Sequence, residues 1–329
     1  MFLLNPDKLK ELTEYLHQQE WISTAETIVA AGKAGEGNMN CVLRADTGIR
    51  TIILKQSRGY VEKFPHIAAP ANRTIIESLF YKKIAGQIKI KQMMPRLIGA
   101  DEENNIMALE DLGNAKDYTF LYDLKKLLGN EEITALVLWL YLLHNYVNKS
   151  TDDTALANRE MRLLNHEHIF NYPFQKNNGF NLDAVEAGLE AIAMPYKNDS
   201  GLKRKVENLG ALYLSESRYL LHGDFYPGSW LKTATGIKII DAEFCFYGLR
   251  EFDLGVMIAH LYLTKHDETI LSIIKNNYPV FNQLNIDILD GFTGTEIIRR
   301  LLGQAQLPVK LNLYEKKCLL KKAYQLVMK

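Results

Sequence analysis

The chain has 329 residues, enough for about two domains and a sizeable buried core. With 47% hydrophobic and 24% charged residues it falls in the ordinary globular range, which excludes wholesale disorder. The 39 basic residues balance 39 acidic ones, so there is no broad basic field for nucleic acid or an anionic membrane, although a local site of either sign can hide inside that balance.

At the N-terminus Asn5, Asp7 and Lys8 interrupt the apolar Met1–Leu4, so no secretory leader is expected. Leu9, Leu12 and Leu16 predict a helix over 7–19. Short β-branched runs at 27–31, 40–45 and 50–56 follow, separated by Gly35, Gly37 and Asn38 and then by Asp46-Thr47-Gly48. Pro70 suits a first helical turn, and Ile75, Ile76, Leu79, Phe80 and Ile84 give the next helix an apolar face. Two more strands read at 96–100 and 105–109. The expectation is a five-stranded antiparallel sheet with one crossing helix, then a change of character near 111–115. Helical patterns dominate 118–150, 182–194 and 201–214. The apolar run 133–146 is shorter than the roughly 20 residues a membrane span needs, and reads as a buried helix. A β island at 219–221 and 236–240 interrupts before helix returns from Phe252 onward. Cys41, Cys245 and Cys318 have neither zinc nor disulfide spacing and read as reduced, in a cytoplasmic protein. The fold class is therefore α+β in two lobes, 1–112 and 113–329.

The chemistry concentrates in Leu221-His222-Gly223-Asp224-Phe225-Tyr226-Pro227-Gly228-Ser229-Trp230 and, 17 residues after Asp224, Ile240-Asp241-Ala242-Glu243. Each acidic group follows a short apolar strand, a rigid way to aim a carboxylate into a cleft. Asp224 or Asp241 alone reads as a turn or strand-end residue. Together with Glu243 and Ser229 they make an oxygen-rich set suited to Mg²⁺. Alternation puts Asp241 and Glu243 on one side if the strand continues through them. Phosphoryl transfer needs such a set, with one carboxylate to orient the attacking hydroxyl. Upstream, Gly35-Glu36-Gly37-Asn38-Met39-Asn40 is a turn able to cover phosphates with backbone N–H groups. Lys55 ends the third strand. Glu77 lies on the crossing helix, where its bland alternative is a surface pair with Arg73. The ordered series of glycine turn, Lys, helix Glu, Asp, Ser and Asp is far less expected by chance than any one member.

On these residues the chain resembles the protein-kinase-like small-molecule kinases, the superfamily of aminoglycoside phosphotransferases, choline kinases and fructosamine kinases. Gly37-Asn38-Met39-Asn40, Lys55-Gln56, Gly228-Ser229 and Asp241-Ala242-Glu243-Phe244 are most similar to the methylthioribose kinase branch. The resemblance implies a two-lobed kinase-like fold with ATP and Mg²⁺ in the cleft. It implies Asp224 as catalytic base and Asp241 and Glu243, with Ser229 nearby, as metal ligands. Lys55 would contact ATP phosphates and pair with Glu77, with Gly35, Gly37 and Asn38 over the phosphates and the backbone near Glu110 and Leu112 on adenine. Asp253 is similar to the superfamily's structural Asp that braces the catalytic loop. The implied acceptor is a small polar alcohol, a methylthioribose-like sugar first, with an aminoglycoside, fructosamine or choline as the alternative. A homodimer is what the resemblance suggests.

Other features stay open at this level. Arg299 and Arg300 resemble a paired-arginine segment at the sugar site. Yet Ile297, Ile298, Leu301 and Leu302 make a core face that would turn both arginines to water. His66, His144, His166, His168 and His222 show no metal-ligand spacing, and His222 reads as a loop brace. Trp230 reads as core rather than a substrate platform. A catalytically silent nucleotide-binding protein is the rival of another class.

Overall fold

The computed structural model describes residues 1–35 and 39–329. A first helix, α1 (Leu9–Gln18), precedes strands β1 (Ala30–Lys33), β2 (Cys41–Asp46) and β3 (Thr51–Gln56). A small hairpin, β4 (Tyr60–Val61) with β5 (Phe64–Ala68), leads to α2 (Arg73–Ile84), a short α3 (Ile88–Lys91), β6 (Leu97–Asp101) and β7 (Ile106–Glu110). The five strands form one antiparallel sheet in the order β1-β2-β3-β7-β6, as expected. The hairpin escaped the sequence reading because its residues are mostly exposed and carry no inward-facing pattern. The crossing helix starts at Arg73, later than Pro70 suggested, because the Pro70 carbonyl accepts from the Arg73 side chain at 2.6 Å.

Alternation along the strands decides what each face does. Ile52, Leu54, Ile106 and Ala108 point to one side and pack on Leu12, Leu16 and Trp21. Met107, Leu109 and the partly buried Ile53 point to the other and join Ile76 and Phe80 of α2 in the main core. Lys55 shares the parity of Ile53, so it faces α2. Gln56 points the opposite way, where it is fully buried and ties Leu4 and Phe2 to the sheet.

Beyond the sheet, β8 (Lys116–Asp117) pairs with the second lobe. The expected helix over 118–150 is instead a 3₁₀ turn at Tyr118–Asp123 followed by α4 (Asn130–Tyr146). Next come α5 (Arg159–His166), α6 (Leu189–Asn198) and α7 (Ser200–Leu214). The β island holds β9 (Tyr219–Leu221), β10 (Trp230–Thr233), β11 (Gly236–Ile239) and β12 (Phe246–Gly248). β10 was invisible in the sequence: it follows Pro-Gly-Ser, and its turn to β11 uses Ala234-Thr235 without a strong turn dipeptide. The chain ends with α8 (Arg250–Leu263), α9 (Thr269–Asn277), α10 (Ile286–Leu302) and α11 (Leu313–Met328). α8 and α10 are buried around most of their circumference and form the centre of the helical lobe. No helix of the described residues is long and apolar enough to cross a membrane.

Candidate active site

The loop after β9 carries Asp224. Asp253 at the start of α8 accepts the backbone N–H groups of His222 at 2.7 Å and Gly223 at 2.9 Å, and is itself held by His144 Nε2 at 3.1 Å. Gly223 has φ +85°, and a Cβ there would lie 2.1 Å from the Phe244 carbonyl oxygen, so only glycine lets the two acidic segments approach this closely. His222 Nε2 donates to the Ile240 carbonyl, 2.9 Å away, and braces the loop as read. The Ser229 hydroxyl donates to the Asp224 carbonyl at 2.8 Å from a buried position, which leaves only its lone pairs for a cation. Trp230 is fully buried against Phe225 and Tyr118, in the core as expected.

The strand does not run through Asp241 and Glu243. β11 stops at Ile239, Asp241 takes a left-handed conformation at φ +63°, and a 3₁₀ turn carries Glu243. Alternation is therefore the wrong reason for their placement, although both carboxylates still converge on Lys55. Lys55 Nζ lies 2.5 Å from Glu77 Oε2 and 2.6 Å from Asp241 Oδ1. Burial alone would depress the lysine, but Asp241, Glu77 and Glu243 outweigh it and hold the ammonium charged well above its ordinary range. Burial pushes Glu77 up, with Lys55 opposing. The Asp241 side chain remains 46% exposed toward the cleft.

Arg73 is not the surface partner of Glu77. It is 0% exposed, and its guanidinium donates to the carbonyls of Met39 at 2.7 Å, Arg58 at 2.9 Å and Pro70 at 2.6 Å. It also holds Asn40 Oδ1 at 2.9 Å and lies 3.5 Å from Glu243 Oε2, to which Asn40 Nδ2 donates at 2.8 Å. The exit of the glycine turn is thus tied to Glu243 through one side chain. Gly35 sits at φ +77°, as a glycine turn requires. Gly37 and Asn38 lie outside the described residues. Glu110 ends β7 with its side chain on the Arg96 N–H at 3.0 Å, and Leu112 is half-buried just beyond.

Of the two placements open for the arginine pair, the solvent-facing one is excluded: Arg299 is 7% and Arg300 6% exposed. A core face implies a wet opposite face only for a surface helix, and α10 is covered by α7, α8 and α11. Arg300 Nη2 donates to Asp224 Oδ1 at 3.3 Å, and its guanidinium lies over the Tyr226 ring at 4.9 Å. Arg299 Nη2 reaches Asn165 Oδ1 at 3.3 Å. Burial raises Asp224 above the ordinary aspartate value, while Arg300 and Arg299 pull it back. These two residues, with Arg73, are where sequence reasoning was weakest.

Over 320 aligned residues the chain is 31% identical to the methylthioribose kinase of Exiguobacterium sibiricum, covering 84% of this chain and 80% of that protein. The chain belongs to the methylthioribose kinase family. The methylthioribose kinase of Bacillus cereus is 26% identical, over 86% of this chain and 81% of that one. Among solved structures, a spectinomycin phosphotransferase in complex with ADP and spectinomycin superposes with a TM-score of 0.57 at 15% identity, covering 99% of this chain and 98% of that one. The choline kinase LicA of Streptococcus pneumoniae gives 0.55 at 12% identity, covering 97% and 98%. These two show the fold, which is that of the protein-kinase-like phosphotransferases. No family model matches the chain. As a member of the methylthioribose kinase family, the protein is a small-molecule kinase acting on a hydroxyl of its acceptor.

Proposed function

We propose that the protein transfers the γ-phosphate of ATP, with Mg²⁺, to a hydroxyl of a neutral, methylthioribose-like sugar. The observation that carries the choice of acceptor is Arg300 on Asp224 with Arg299 beside it, both buried. Two guanidiniums at the acceptor end of the base disfavour the ammonium groups of choline or an aminoglycoside, and the amine of a fructosamine, by like-charge repulsion at low dielectric. They suit sugar hydroxyls, which accept from them.

Asp224 orients the acceptor hydroxyl and takes its proton, a task that a carboxylate raised by burial performs better than an ordinary one. Lys55, kept charged by its two carboxylates, holds phosphate oxygens. Gly35, Gly37 and Asn38 would cover the phosphates, and the backbone at Glu110 and Leu112 would receive the adenine. Among the described residues no three His, Cys, Asp or Glu side chains form an all-protein metal cage. A pair of carboxylates, one open to the cleft, fits an ion that shares its coordination with phosphates. Asp241 and Glu243 would hold it, with Ser229 as a weaker oxygen. Bound there, Mg²⁺ supplies charge neutralisation at the phosphate oxygens. Residues 1–112 then form the ATP-binding lobe, and residues 113–329 the catalytic and acceptor-binding lobe.

The test is phosphate transfer from ATP to methylthioribose, choline, spectinomycin and a fructosamine in parallel. Turnover with methylthioribose and none with the cationic acceptors is expected. Preferred turnover with a cationic acceptor sinks the reading.

A further inference from the structure

Beneath the arginine pair, three polar side chains from three separate elements form a buried chain. Glu296, 1% exposed, sits one turn before the arginines on α10. Its Oε2 accepts from Arg299 Nη1 at 3.0 Å, and its Oε1 accepts from Arg300 Nε at 2.6 Å and from His260 Nε2 at 3.1 Å. The other imidazole nitrogen, Nδ1, lies 2.7 Å from the Tyr122 hydroxyl. Burial would raise Glu296, but Arg299 and Arg300 hold it well below the ordinary carboxylate range, so it only accepts. His260 therefore donates from Nε2. Burial lowers His260 to about 4, so the ring is neutral near pH 7, and its bare Nδ1 accepts from Tyr122. Tyr122 thus donates to His260, His260 donates to Glu296, and Glu296 accepts from both arginines as well.

An arginine side chain has many rotamers, and a helix backbone alone does not choose where its guanidinium points. Glu296 takes Nε of Arg300, which orients the guanidinium plane and leaves Nη2 directed at Asp224. Tyr226 packs against both the guanidinium, at 4.9 Å, and the His260 ring, at 5.2 Å between centroids. We propose that Glu296, locked by His260 and Tyr122, is a positioning residue that aims Arg300 at the acceptor end of Asp224. This rests on the reading that the arginine pair serves the acceptor.

The experiment measures acceptor KM, ATP KM and kcat with methylthioribose and ATP for Glu296→Gln, Tyr122→Phe, Arg300→Ala and the Glu296→Gln/Arg300→Ala double variant, each with a thermal melt. Glu296→Gln keeps the shape and loses the charge. Acceptor KM should rise at least about tenfold there and roughly threefold in Tyr122→Phe, with ATP KM within about twofold. The double variant should be no worse than Arg300→Ala, because both changes act along one path. An acceptor KM within about twofold of the parent in Glu296→Gln and Tyr122→Phe, with Arg300→Ala impaired, overturns the positioning role and leaves the acceptor reading standing. Equal rises in both KM values also overturn it, since that is what loosened packing alone produces. If Arg300→Ala leaves acceptor KM unchanged, the acceptor reading falls and this proposal with it. Should Glu296→Gln fail to fold, Tyr122→Phe decides, since it removes one hydroxyl without changing shape.

Discussion

Replacing Arg73 with lysine keeps the positive charge and removes the planar fork. The guanidinium serves four backbone carbonyls, those of Met39, Arg58, Pro70 and Tyr60, as well as Asn40 Oδ1. An ammonium has three donors on a single nitrogen, so at least two of these acceptors lose their partner in a fully buried place. Each orphaned acceptor costs roughly 1–3 kcal/mol, which gives about 2–6 kcal/mol in all. At roughly 2 °C per kcal/mol for a chain of this size, calorimetry should show Tm lower by about 4–12 °C. Because the glycine-turn exit and Glu243 hang on the same group, ATP KM should rise severalfold while acceptor KM holds. A Tm within about 1 °C of the parent, with unchanged ATP KM, refutes the claim that fork geometry rather than charge makes Arg73 necessary.

Asp224→Ala should lower kcat at least about a thousandfold with ATP binding retained by calorimetric titration, in line with removal of a central catalytic group. Gly223→Ala places a Cβ 2.1 Å from the Phe244 carbonyl, so it should displace the loop and cost roughly a hundredfold in kcat even where the protein stays folded by circular dichroism. Tyr81→Phe removes a buried hydroxyl that has no partner among the described residues, so urea unfolding should show no loss, or a gain of up to about 1 kcal/mol. His260 falls to about 4 when folded, below the unfolded value near 6.5. Between those values the unfolded chain binds the extra proton, so the residue lowers stability as pH falls, by up to about 3 kcal/mol at pH 4. The parent should therefore lose stability more steeply than His260→Gln between pH 6.5 and 4.5, and parallel curves would contradict the assignment.

Residues whose role depends on local pattern were legible. Lys55 lies near the end of the third strand and Glu77 on the crossing helix 22 residues later, and the family resemblance pairs them, as the structure does. Asp253 and His222 were legible through the motif that contains them. Arg73 was not, because its partners Met39, Asn40 and Glu243 are 33 to 170 positions away in sequence, and only the folded chain brings them to one guanidinium. Arg299 and Arg300 are undecided in the sequence for a different reason. Amphipathic reasoning assigns charges to water, and that rule fails on a central helix whose charges are compensated by Glu296 and Asp224. The Tyr122–His260–Glu296 chain has no sequence signal, since its members lie on three elements far apart in sequence and nothing local to each marks the others as its partners.

The charge balance of the whole chain has a local counterpart that bears on substrate choice. On the side proposed to take the nucleotide, Lys55 and Arg73 face Glu77, Asp241 and Glu243, so carboxylates outnumber cations. A divalent ion together with phosphates fits that end, because the ion answers the carboxylates and Lys55 the phosphates. On the side proposed to take the acceptor, Arg299 and Arg300 face Glu296 and Asp224, two charges of each sign. Among these four groups no carboxylate is left over to neutralise an ammonium, so on the proposed reading a cationic acceptor would enter without compensation, while a neutral polyol would meet hydrogen-bonding groups. If the two ends select by charge in these opposite ways, exchanging Arg300 for glutamine should weaken methylthioribose binding and relax the exclusion of choline in the same variant.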